Sequence, residues 1–67
     1  MDFGQFSRDF DETVTIATKA LLEGKGADLP TIIRRGSLPN DPIVSALVAD
    51  AAHRKAQAYE CLQYFDG

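Results

Sequence analysis

Nucleophilic or acid–base chemistry in this chain would have to come from His53 and Cys61, its single histidine and single cysteine, or from Ser7, Ser37 and Ser45. Such a site needs a nucleophile beside a base and a third group that orients the base. His53 and Cys61 stand eight residues apart in one helical stretch, roughly 12 Å along the axis and about 80° around it, so they cannot touch within one chain. A surface histidine and a buried core thiol are the expected roles. His53, Gln57 and Glu60 follow one another at i, i+4 and i+7, a spacing that could hold a metal between symmetry mates. Only two of the three are strong ligands, however, and any polar helix face offers the spacing. Gly24-Lys25-Gly26 is too short for a phosphate-binding loop and lacks the strand that precedes one. No catalytic residue, metal or cofactor is expected.

Basic residues concentrate at Arg34-Arg35 and at His53-Arg54-Lys55. A short helix, a corner and a long helix in this region could be drawn as a helix-turn-helix that binds nucleic acid through Arg34, Arg35, Arg54 and Lys55. Two observations oppose that alternative. The start of the would-be recognition helix, Ile43-Val44-Ser45-Ala46-Leu47-Val48, is mostly apolar where base-reading side chains should stand, and the chain carries a formal charge of −3. Arg34 and Arg35 are accounted for by the favourable placement of cations at a helix C-terminus. Arg54 and Lys55 border an apolar arc, where long side chains cover apolar surface with their stems and leave their charges free for a partner's carboxylates.

The element that carries most of these residues runs from Asp41 to Phe65. Asp41 can accept from the free amides of a first turn, and Pro42 sits at the first helical position, where no donor is needed, so a helix is predicted over 42–65. At 100° per residue, Ile43, Leu47, Ala51, Ala58, Cys61, Leu62 and Phe65 cluster on one side. Val44, Val48, Ala52 and Tyr59 widen that side to nearly half the circumference, broad for one neighbour. Asp50 and Arg54 are spaced for a weak ion pair on the polar face.

Upstream, the acidic run Asp9, Asp11 and Glu12 marks an expected first helical turn, with Ser7 or Asp9 as its cap. Phe10, Val14, Ala17 and Leu21 then repeat at helical spacing, extended backward by Phe3 and Phe6, until Gly24 stops the element; a helix is predicted over about 9–23. The β-branched run through Thr13, Val14, Thr15, Ile16 and Thr18 could suggest a strand, but the stripe and the stop favour helix. Residues 1–8 are expected to form a flexible N-terminal segment. Asp28, Pro30 and Gly36 bracket a two-turn connector helix over about 29–35.

Aromatic residues lie only at the two ends, Phe3, Phe6 and Phe10 against Tyr59, Tyr64 and Phe65. An antiparallel hairpin of the two long helices would gather them into one cluster at its open end. The expected fold is all-α: a single small domain over 1–67, a helical hairpin joined through a connector helix. A chain of 67 residues buries only about 60% of its unfolded surface and is marginal alone. With one cysteine there is no internal disulfide to help, which leaves helix packing or a second chain. A homodimer is expected. Ala51, Arg54, Lys55, Ala58, Tyr59, Leu62, Phe65, Phe3 and Phe6 are its candidate interface, or the interface with another protein.

The first residues have no basic start followed by an apolar run, and no stretch approaches the roughly 20 apolar residues of a membrane span, so a cytoplasmic location is expected. The functional expectation is a small non-enzymatic regulator, inhibitor or adaptor that acts by occupying the surface of another protein.

Overall fold

A computed structural model of the chain describes the backbone of residues 3–65 and the side chains of residues 3–62. It is all-α: α1 (Phe3–Leu22), a 3-10 turn (Gly26–Asp28), α2 (Leu29–Arg35) and α3 (Pro42–Phe65), with no strand among the described residues. No helix is long and apolar enough to cross a membrane among the described residues.

α1 begins six residues before the expected start at Asp9. Phe3–Arg8, expected to be flexible, form its opening turns, and Ser7 and Asp9 lie inside the helix rather than capping it. The ring of Phe6 stacks on that of Phe10, centroids 6.2 Å apart, an i,i+4 contact that ties the first turns together. The threonine run is compatible with helix because each hydroxyl bonds within it. Thr13, Thr15 and Thr18 donate through Oγ1 to the carbonyls of Asp9, Asp11 and Val14 at 2.8, 2.8 and 2.7 Å. Burial of Thr13 and Thr18 therefore leaves no hydroxyl unsatisfied. Gly24 ends the helix as expected, at φ +79°, with Lys25 N–H donating to Ala20 O (2.8 Å) and Gly24 N–H to Leu21 O (3.1 Å). That pair of bonds is a Schellman closure, which requires the left-handed conformation glycine adopts without strain.

α2 has the predicted bounds, but Asp28 makes no side-chain cap bond and closes the 3-10 turn instead. α3 starts as predicted. Asp41 Oδ1 accepts from Ile43 N–H at 2.8 Å, and Asp41 O accepts from Ser45 N–H at 3.0 Å.

The direction of α3 differs from the expected hairpin. A Cβ placed on Gly26 would lie 3.2 Å from Leu21 Cδ2, and one on Gly36 would lie 2.8 Å from Thr13 Oγ1. α2 thus carries the chain back along α1, from its end to its middle. Val48 and Ala52 share the core with Val14 and Ala17, and further along, Lys55 and Tyr59 stand beside Thr18, Lys19 and Leu22. α1 and α3 therefore advance in the same sense, with α2 antiparallel to both. The chain reverses twice rather than once, because the connector is long enough to spend a reversal of its own.

The aromatic cluster expected between the two ends does not form among the described side chains. Phe3 is 83% exposed, and Tyr59 is exposed beside the second half of α1; the side chains of Tyr64 and Phe65 lie outside the described residues. α3 outruns its neighbour, and every described side chain from Gln57 to Leu62 is exposed. The long dimension of 44 Å exceeds the roughly 36 Å of a 24-residue helix, as two staggered helices require.

Two changes test this account by denaturant unfolding. Asp41→Ala should cost about 1 kcal/mol, the usual loss for an N-cap acceptor. Gly36→Ala should cost about 1–3 kcal/mol by forcing a methyl against buried Thr13. Most of that cost should vanish in a Thr13→Ala background, since removing the hydroxyl and methyl of Thr13 frees the space.

Candidate protein-binding surface

α3 has two apolar sides, and the fold uses the one made of small residues. Val48, Ala52 and Ala56 are buried and Val44 is half-buried, a row spaced every four residues, and Val44, Val48 and Ala52 share the core with Val14 and Ala17 of α1. Of the broad apolar side read from the sequence, Val44, Val48 and Ala52 supply the core row and Ala51 packs partly on it, whereas Ile43, Leu47, Ala58, Tyr59, Leu62 and Cys61, the last expected in the core, are all exposed. The physical reason is the approach distance. Valines and alanines on both helices, with Thr18 on α1, let the axes come close at little loss of side-chain freedom.

The unused side forms a stripe. Ile43, Leu47, Arg54, Ala58 and Leu62 fall within an arc of about 100°, and the three large members are 69%, 53% and 62% exposed. Full burial of each would contribute about 1.5–3 kcal/mol, so the folded monomer leaves several kcal/mol of apolar surface in water. In the middle of the stripe Arg54 Nε pairs with Asp50 Oδ2 at 3.2 Å, both side chains exposed. The pair was legible in the sequence and contributes only about 0.3–0.5 kcal/mol.

The remaining expected site residues separate. Lys55 and Tyr59 line a cleft of about 210 Å³ with Lys19 and Leu22 of α1. Phe6 is half-buried against Phe10 at the opposite end of the molecule from Leu62, and Phe3 lies near it on the first turn. Arg34 borders a larger cleft, about 540 Å³, between α2 and the Ser45–Ala49 flank of α3. The centre of that flank is roughly 130° around α3 from Arg54. Arg34 and Arg35 end α2 while Arg54 and Lys55 stand in the middle of α3, all four exposed, so they form two separate basic spots rather than one track along a phosphate backbone. His53 is exposed, and Cys61, expected in the core, is exposed too.

The exposed stripe escaped the sequence reading because half the helix circumference is apolar. Its signal was the unbroken four-residue spacing of Val44, Val48, Ala52 and Ala56, small residues matched by small residues on α1. No family model, no curated protein and no solved structure matches the chain.

The assignment of faces is checked by stability. Val48→Ala should cost about 2 kcal/mol through lost methyls and a residual cavity, whereas Leu47→Ala and Leu62→Ala should each change stability by less than about 0.5 kcal/mol, as exposed substitutions do. Thermal or urea unfolding of the three variants measures the contrast.

Proposed function

We propose that the chain is a non-enzymatic protein-binding module, which regulates or adapts another protein by laying the outward stripe of α3 against an apolar groove or helix of that partner. The observation that carries this is the exposure of Ile43, Leu47 and Leu62 along one side of a helix whose other side is already filled. A stripe about 100° wide matches the anchors by which an amphipathic helix seats in a groove. Arg54 and Asp50 stand among those anchors with both charges exposed, placed to exchange their mutual pairing for carboxylates or cations at the rim of a partner's groove. The exposed turn through Leu62 continues the surface past Tyr59, which still lies beside Leu22 of α1.

His53 and Cys61 support the non-enzymatic side of the proposal, since they stand apart and exposed on α3. A cytoplasmic location is part of the same proposal: a free exposed thiol such as Cys61 keeps its reduced form in a reducing compartment.

The test compares partners retained from native lysate by the wild-type chain and by Leu47→Glu and Leu62→Glu, with helicity of each checked by circular dichroism. A protein retained by the wild type and reduced at least about tenfold by either charge, as anchor loss of roughly 1.4 kcal/mol or more gives, supports the proposal. Equal retention by all three chains would overturn it.

A further inference from the structure

The solvent face of α1, opposite Val14 and Ala17, carries charges the fold does not use. Arg8, Glu12, Thr15, Ile16, Lys19 and Glu23 fall within an arc of about 100°, and all are exposed, Ile16 at 57%. Glu23 follows the last helical residue directly, its N–H bonded to Lys19 O at 3.0 Å. None of the four charges is in an ion pair; Asp50–Arg54 is the only such pair among the described residues. Both cations precede an acid by four residues, the less favourable order for pairing along one helix. Read from one end the signs run plus, minus, plus, minus, and the series inverts about the point between Thr15 and Ile16.

We propose that this face pairs with the same face of a second copy of the chain, the two α1 helices antiparallel about a two-fold axis between Thr15 and Ile16. Arg8 then meets the partner's Glu23, Glu12 meets the partner's Lys19, and Ile16 meets the partner's Thr15, with every contact made twice as a two-fold interface demands. A parallel pairing would set each charge against its own kind, so the pattern specifies the orientation as well as the partner. The flanking charges agree. Asp11 borders the face beside Glu12, and Lys55 stands in the cleft beside Lys19, so the acidic half of one copy meets the basic half of the other. One helix face with an isoleucine at its centre lies at the small end of protein interfaces, which makes the dimer reversible and salt-sensitive. This inference is independent of the partner proposed for α3, whose stripe the pairing leaves open.

Sedimentation equilibrium of the full chain over a range of concentration at low salt tests it. The wild type should associate to a dimer, and Glu12→Lys and Lys19→Glu should each weaken association by about tenfold or more, because each places two pairs of like charges in contact. An equimolar mixture of those two variants should regain wild-type association. In the mixed dimer the introduced lysine of one chain faces the introduced glutamate of the other, and the native Lys19 faces the native Glu12. The double exchange Glu12→Lys/Lys19→Glu should regain it too. Circular dichroism confirms that each variant keeps its helicity. A monomeric wild type, a dimer indifferent to both changes, or a mixture no tighter than its components would overturn the proposal. So would a dimer that is lost on Leu47→Glu and kept in both α1 variants.

Discussion

The structure depends on how closely α1 and α3 approach. Their contact is built on Val14 and Ala17 on one side and Val44, Val48 and Ala52 on the other, side chains too short to hold the axes apart. A close seam gains dispersion contacts in proportion to the number of atom pairs brought near 4 Å, and it asks little rotamer entropy of residues that have little to lose. Two features follow from it. Thr13 and Thr18 can be buried on α1 only because their hydroxyls turn back onto the carbonyls of Asp9 and Val14. α2 can return along α1 only because Gly36 has no Cβ to meet Thr13. The seam also decides what is left outside. Once the small side of α3 is spent on α1, Ile43, Leu47 and Leu62 have no neighbour in the chain.

Much of the local structure was legible in the residues. Asp41 and Pro42 mark the start of α3, Gly24 the end of α1, and Leu29–Arg35 the connector, because caps and stops act within a turn and need no knowledge of the rest of the fold. The start of α1 was misread for a physical reason: Asp9, Asp11 and Glu12 imitate the acidic first turn of a helix, while Phe3–Arg8 continue it with no residue that forbids helix. Longer-range features were less legible. Period alone cannot choose between two adjacent apolar sides of α3, and segregated aromatics predicted an antiparallel pairing only on the premise of a single reversal. α2 supplies a second reversal, so Tyr59 arrives beside Leu22 instead of Phe6.

The candidate surfaces were legible in part and for related reasons. Ala58 and Leu62, read from the sequence as part of the broad apolar side of α3, are exposed. Ile43 and Leu47 share that side with Val44, Val48 and Ala52, and since large apolar residues are the usual core formers, nothing in the spacing says that valine and alanine will be preferred. The charge series of α1 was present in the sequence throughout, yet its meaning depends on knowing which side of α1 is buried. Arg8, Glu12, Lys19 and Glu23 gain significance as a set only once Val14 and Ala17 are seen to face the other way.

A small core and a large exposed apolar stripe are linked by the same arithmetic. A chain of 67 residues has few side chains to divide between holding itself together and holding something else. Turning Ile43, Leu47 and Leu62 inward would enlarge the core by several kcal/mol of burial, but it would force the helices apart at the seam, where the gain comes from closeness. It would also leave the valines and alanines outside, which offer little to a partner's groove. With the small residues inside, Val48 and Ala52 are fully buried and Ile43, Leu47 and Leu62 are left in solvent. The two long helices then carry different kinds of surface: α3 an apolar stripe with one weak ion pair in it, α1 a series of alternating charges around one isoleucine. Apolar stripes confer affinity with little discrimination, whereas alternating charges confer orientation with little affinity, so a foreign partner on α3 and a second copy on α1 would not compete for the same surface.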